Sequence, residues 1–324
     1  MKQKVLITGI TGQDGVFLSN LLLKSNDYQI VGTSRKNDDT NIKKKLIYLG
    51  NTDSELDNLK ITKCNLEVSE EIEALVEVYK PDYVYNLIGP GSVSESVKFP
   101  FQSSNSIVLS YNNLVSSFIQ NKIFPKFFQT SSSEMFDDKG HEAISEVSNY
   151  NPKTPYAISK MYCHNLSNFY KEKFEWDVSI GILFNHESEF RPENYLLTKV
   201  INNAKKINKG IEKELVIGSV DLIRDWGFAG DVVDAMVKIN ESAFSDNYVI
   251  GTGNGHSIKN MVEIVFDYFK LDFNNHIRID SSLMRKDEPI SIVADPSKIN
   301  QKLGWKSKTS FEDTIIRCLD YHSN

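Results

Sequence analysis

Short runs of apolar and β-branched residues alternate with amphipathic stretches from the first residues of the chain onward. Val5 to Thr8 reads as a strand, Phe17 to Lys24 as a helix and Gln29 to Thr33 as a second strand, because a continuous apolar run suits a strand covered on both faces and a helical period suits a one-sided helix. The rhythm continues through a strand at Lys60 to Lys63, a helix near Glu70 to Tyr79, a strand at Tyr83 to Asn86, a helix around Ser106 to Gln120, and a strand at Lys126 to Thr130. A helix from Pro155 to Lys173 and a strand from Val178 to Leu183 follow. Crossovers of this kind predict an α/β, doubly wound parallel sheet. After about Phe184 the pattern loosens: the segment Glu187 to Tyr195 is polar, and short helices and strands follow without regular spacing. This predicts a cofactor-binding domain over residues 1–184. Residues 185–324 then form a smaller α/β, substrate-facing region, with some chain returning to the first domain. The polar stretch Lys36 to Lys45 reads as an exposed loop, and no internal repeat is visible.

Composition narrows the class. The 324 residues carry a formal charge of -6 with both signs interspersed, which argues against a nucleic-acid binder and leaves a discrete nucleotide ligand open. Three widely spaced cysteines, Cys64, Cys163 and Cys318, suggest neither a disulfide framework nor a metal cluster, so no metal is expected. The sequence runs directly from Met1 into an apolar strand, and no apolar run reaches bilayer length. The expectation is a cytoplasmic protein without a membrane partner.

Candidate chemistry clusters at strand ends. Gly9-Ile10-Thr11-Gly12-Gln13-Asp14-Gly15 places three glycines between the first strand and the first helix, where a Rossmann-like fold brings a dinucleotide pyrophosphate against backbone N–H groups. Gly9, Thr11, Gly12, Gln13, Asp14 and Gly15 are therefore expected around a cofactor. The second strand ends in Ser34-Arg35-Lys36 without a carboxylate. Arg35 suits a ribose 2′-phosphate, favouring NADP over NAD; the competing reading is a pair of solvated loop cations. Tyr156 and Lys160 stand four residues apart on one face of the predicted helix, and a cation beside a phenol lowers its pKa and prepares a base. The fifth strand runs into Ser131-Ser132-Ser133-Glu134. One hydroxyl there can bind a reacting oxygen and Glu134 can serve as acid or base, unless the run is only a serine-rich turn.

These segments resemble the GDP-mannose 4,6-dehydratase family over nearly the whole chain. The resemblance is carried by Ile7 to Gly15, Ser131 to Phe136, Pro155-Tyr156-Ala157, Gly181 to Ser188 (G-I-L-F-N-H-E-S) and Arg224-Asp225-Trp226-Gly227. It implies a redox-neutral cycle on a nucleotide-linked sugar: oxidation at C4 with Tyr156 and Lys160, a hydroxyl contact from Ser132, removal of the C5 proton by Glu134, loss of water across C5 and C6, and return of the hydride to C6. It further implies cofactor contacts at Asn65, Leu66 and His186. Sugar or nucleotide contacts are implied at Ser92, Asn185, Arg191, Lys199, Arg224, Arg285 and Glu288. Assembly as a homodimer or homotetramer through the helices Ser106 to Gln120 and Pro155 to Lys173 is also implied.

The chain departs from the family pattern at several ligand loops. Ile88-Gly89-Pro90-Gly91-Ser92 replaces a small-small-glutamine-serine stretch, Asp137 follows Phe136 in place of glycine, Glu189-Phe190-Arg191-Pro192 lacks paired arginines, and Asn65 stands for an aspartate. A differently shaped sugar such as a heptose would accommodate these changes. So would reduction or epimerisation of a ketosugar on the same fold, and a non-catalytic nucleotide-binding protein is a third reading.

Overall fold

Apolar strands covered on both faces set the architecture of the computed structural model, which describes residues 1–36, 39–89, 91–136, 142–284 and 288–323. In chain order the strands are β1 (Gln3–Thr8), β2 (Tyr28–Ser34), β3 (Leu59–Lys63), β4 (Tyr83–Asn86), β5 (Lys126–Ser132), β6 (Val178–Leu183), β7 (Asn185–Glu187), β8 (Leu215–Ile217), β9 (Ile223–Phe228), β10 (Asn247–Ile250), β11 (Gly255–Ser257), β12 (Ile277–Ile279) and β13 (Ser291–Ile292). Seven of them form one sheet in the order β10-β6-β5-β4-β1-β2-β3, parallel at every pairing. The order reverses beside β1, and an open sheet leaves its ligand crevice at such a point, at the carboxyl ends of the strands.

Alternation along the strands assigns the two faces. Val5 and Ile7 of β1 and Phe128 of β5 join the helices Gln13–Ser25 and Ala229–Glu241 in one core layer. Leu6 and Phe127 face the opposite layer, under the helices Ser69–Tyr79, Ser110–Gln120 and Pro155–Phe174. A third core lies in the later part of the chain, where the helices Leu196–Asn208, Ile258–Tyr268 and Phe311–Ser323 pack around Trp226. A small cluster of Met135, Phe136, Ile182, Phe184, Val249 and Ile292 joins this region to the sheet.

Three expectations need correction. Residues Thr40–Tyr48, inside and beyond the stretch read as an exposed loop, form a helix that buries Ile42 and Leu46. The helices after Phe184 are full-length, not short, reaching 13 residues in Leu196–Asn208 and Ala229–Glu241. The helix expected from Ser106 begins earlier, as Pro100–Ser104 running through a π-helical turn at Asn105–Leu109 into Ser110–Gln120. Among the described residues no helix is long and apolar enough to cross a membrane.

Candidate active site

The glycine turn is shaped by three separate constraints. Gly9 has φ +70°, and a Cβ there would approach the Leu87 carbonyl oxygen to 3.0 Å. Gly12 caps the helix Gln13–Ser25 without a side-chain hydrogen bond, leaving first-turn N–H groups for an outside acceptor, with Thr11 exposed beside them. Gly15 sits so close to the turn that a Cβ would fall 2.4 Å from the Ile10 carbonyl oxygen. An uncapped helix start behind a cradle that side chains would fill fits a pyrophosphate.

Gln13 and Asp14 bind within the protein. The Gln13 amide donates to the His186 carbonyl at 3.1 Å and accepts from Ser188 Oγ at 2.7 Å. Asp14 Oδ1 lies 3.0 Å from His186 Nε2, while His186 Nδ1 lies 2.7 Å from the Phe184 carbonyl oxygen. With two acceptors facing its two nitrogens, the imidazole is a double donor. Burial by itself would lower the His186 pKa, but the charge and hydrogen bond of Asp14 outweigh it and the net shift is upward. For Asp14, burial pushes upward and His186 prevails, so the net shift is downward. This pair ties the glycine turn to the segment after β6.

Arg35 is exposed just past the end of β2. Asn65 closes a turn: its backbone N–H donates to Glu71 and its side chain accepts from the Glu67 N–H at 3.3 Å. The Leu66 side chain is core, while its carbonyl accepts from Asn113 at 2.9 Å.

Thr154 caps the helix Pro155–Phe174 by accepting from the Ala157 N–H, with Pro155 pre-set for the first turn. Tyr156 and Lys160 are both buried, one turn apart, and the Lys160 ammonium lies 5.9 Å from the Tyr156 ring centre. The Ser132 hydroxyl stands beside the Tyr156 phenol, and Ser132 Oγ accepts from the Glu134 N–H at 3.2 Å. The expectation that Lys160 lowers the Tyr156 pKa is corrected. Burial raises the phenol pKa; the Ser132 hydroxyl opposes this and Glu134 reinforces it. The Lys160 ammonium instead turns to the Thr130 carbonyl at 3.2 Å and Thr130 Oγ1 at 3.3 Å, and burial lowers its own pKa.

Behind Lys160 runs a polar chain that the periodicity did not reveal. Thr8 donates to Asn86 at 2.6 Å, Asn86 to Gln129 at 2.8 Å, and Gln129 to the Thr130 carbonyl at 2.8 Å. All four side chains are buried at the carboxyl ends of β1, β4 and β5. Polar residues closing otherwise apolar strands, as in Y-V-Y-N and K-F-F-Q-T, were the available signal.

Glu134 opens onto a cavity of about 410 Å³ lined also by Ser133, Asn151, Lys153, Thr154, Arg224 and Glu288. Arg224 on β9 is buried and pairs with Glu288 at 3.2 Å. On another side, the Arg191 guanidinium lies 3.8 Å from the Tyr195 ring centre and its Nε 3.4 Å from Glu187. A Cβ on Gly91 would come within 2.8 Å of the Tyr195 hydroxyl. Tyr195 was not expected here, and its aromatic ring beside a ligand-loop glycine was the missed cue. Ser92 caps the helix Val93–Lys98 by accepting from the Glu95 N–H. Asn185 is half-buried on β7 opposite Trp226, and Lys199 is exposed on the helix Leu196–Asn208. Arg285, Pro90 and Asp137 lie outside the described residues. Within the polar segment after β6, Glu187, Ser188, Glu189 and Phe190 are buried.

The family model described as GDP-mannose 4,6 dehydratase matches residues 6–318. The chain belongs to that family. Relatives of this dehydratase-family chain include GDP-mannose 4,6 dehydratase 1 of Arabidopsis thaliana, 32% identical over 320 residues, covering 97% of this chain and 88% of that protein. The GDP-mannose 4,6-dehydratase of Vibrio cholerae is 29% identical, covering 97% and 92%. Among solved structures, the dTDP-glucose 4,6-dehydratase DesIV of Streptomyces venezuelae, with NAD and TYD bound, superposes with a TM-score of 0.86 at 17% identity, covering 99% of this chain and 97% of that one. That last likeness concerns the fold.

Proposed function

We propose that this protein is a nucleotide-sugar 4,6-dehydratase, a hydro-lyase converting GDP-mannose or a GDP-manno-heptose to its 4-keto-6-deoxy product. The observation that carries this reading is the placing of Glu134 on a cavity with Arg224 and Glu288, two residues along the chain from Ser132, which stands beside Tyr156. A ketosugar reductase has no use for a second base at that point, and a mere binding module has no use for the buried Tyr156–Lys160 pair.

The cofactor of this reading is a nicotinamide dinucleotide, which the glycine cradle and Lys160 would hold. Exposed Arg35, at a strand end Ser34-Arg35-Lys36 that carries no carboxylate, supports NADP. Such a cofactor supplies reversible hydride storage. Ser132 and Tyr156 hold the C4 hydroxyl; because burial raises the phenol's pKa, Tyr156 would take the C4 proton once positive charge beside it, from Lys160 or the oxidised nicotinamide, favours the phenolate. The ketone acidifies the C5 proton, which Glu134 removes and then passes to the departing C6 hydroxyl, so that water is lost across C5 and C6. Arg224, with Asn185, Arg191, Ser92, Lys199, Arg285 and Glu288, forms the nucleotide-sugar side; an arginine fork suits the diphosphate. In this reading residues 1–184 serve the cofactor and 185–324 mainly the sugar nucleotide, in a cytoplasmic homodimer or homotetramer. Exposed Phe101, Ile158, Tyr162 and Phe169 support assembly through the flanking helices.

Incubating the purified protein with GDP-mannose and, in parallel, GDP-manno-heptose tests the reading by product mass. Loss of one water from either sugar is the expected result. An inert protein that instead consumes NADPH on a 4-keto sugar would overturn it in favour of the reductase.

A further inference from the structure

A buried histidine that the proposed chemistry leaves unused joins two walls of the site. His164 lies two turns beyond Tyr156 on the helix Pro155–Phe174 and is 2% exposed. Its Nδ1 is 3.0 Å from Ser131 Oγ, on the strand that carries Ser132, and its Nε2 is 3.3 Å from the Tyr150 hydroxyl. Tyr150 in turn stands against the residues after Glu134: its ring packs on Phe136 with centres 4.7 Å apart, its backbone bridges Phe136, and the next N–H, of Asn151, donates to the Met135 carbonyl at 2.8 Å. Asn151, Lys153 and Thr154 then line the Glu134 cavity and lead into Tyr156.

Burial without a neighbouring carboxylate pushes the His164 pKa down to about 4. At neutral pH the ring therefore offers one donor and one acceptor, and two hydroxyls, each able to play either part, complete it. Whichever hydroxyl donates to the ring, the other accepts the remaining imidazole proton.

We propose that His164 is a positioning residue. It acts as a hydrogen-bonded strut between Ser131 and Tyr150 that sets the spacing between the strand end bearing Ser132 and Glu134 and the segment bearing Thr154 and Tyr156. Its effect on turnover rests on the dehydratase reading above; its geometry does not. The mechanism needs two groups from different elements aligned on adjacent sugar carbons, and a small misplacement of either slows the chemistry while leaving the binding surfaces intact.

The test uses the full chain with His164→Phe, Tyr150→Phe and the double variant. Each single substitution is expected to lower kcat about tenfold with unchanged dissociation constants for NADPH and GDP, and the double variant to lose no more than the worse single. A His164→Phe protein with a lowered Tm but wild-type kcat and KM would overturn the proposal, as would effects of the two substitutions that multiply. Imidazole ¹⁵N resonances probe the strut without any substrate. One fixed neutral tautomer at His164 between about pH 6 and 8 supports it, and titration near the ordinary histidine value overturns it. Failure of the dehydratase reading shows separately, as a wild-type protein inert toward GDP sugars, and the resonances then decide alone.

Discussion

In the proposed reading, the cofactor cradle and the sugar-facing wall hold their ligands by opposite means. The cradle is contiguous: Gly9, Gly12 and Gly15 lie within one turn, and the missing side chains do the work by letting backbone come close. The wall is assembled from Glu134, Thr154, Arg224 and Glu288, drawn from separate elements and held by side-chain contacts such as the Arg224–Glu288 pair at 3.2 Å. A local device is vulnerable to added atoms; a distributed one is vulnerable to lost functional groups.

Substitutions should separate the two, starting with the largest effect. Tyr156→Phe, which removes the hydroxyl that stands beside Ser132, should lower kcat by about 10²–10⁴ with NADPH affinity unchanged; wild-type turnover would remove Tyr156 from the mechanism. Glu134→Gln should cost about 10²–10³ in dehydration while C4 oxidation proceeds, so absorbance of reduced nicotinamide accumulates without loss of water. Full dehydration by that variant would reassign the second base.

A methyl added to the cradle should cost stability before chemistry. Gly15→Ala forces backbone apart at a 2.4 Å contact and should destabilise by about 1–3 kcal/mol, read as a lower denaturation midpoint. An unchanged midpoint would show that the helix start is not tightly seated on the turn.

The smallest expected effect concerns the link between the two regions. His186 has a pKa raised above its ordinary 6.5 and Asp14 one lowered below its ordinary 3.8. The raised histidine stabilises fully below 6.5 and loses this as pH rises through its folded value. The lowered carboxylate stabilises above 3.8 and loses this as pH falls through its folded value. The stability difference between wild type and His186→Gln should therefore be largest between about pH 4 and 6.5 and shrink on either side. A difference that is flat with pH would show that the pair is not ionised.

The same contrast explains how much the sequence reveals. The glycine turn, the parallel order and the Tyr156–Lys160 spacing are local or periodic, so residue patterns carry them. The helix Thr40–Tyr48 escaped because only Ile42 and Leu46 of its turns are buried, leaving a composition like that of a loop. Glu187 and Glu189 belong to a segment read only as polar, yet each is buried against an arginine, Arg191 and Arg317, with the second pair at 3.2 Å; pairing across the fold cannot be seen in composition. The Tyr156 pKa is raised because the fold buries the phenol, which helical spacing does not show; that spacing places Lys160 nearby, but the carbonyl of Thr130 on β5 takes its ammonium.

The central claim is that one site oxidises, dehydrates and reduces the same sugar without net change of cofactor. Supplying GDP-mannose deuterated at C4 and locating the label in the product tests this most directly. Deuterium carried to the C6 methyl group within one molecule is the predicted result; deuterium retained at C4, or lost from the sugar into added cofactor, would contradict the account.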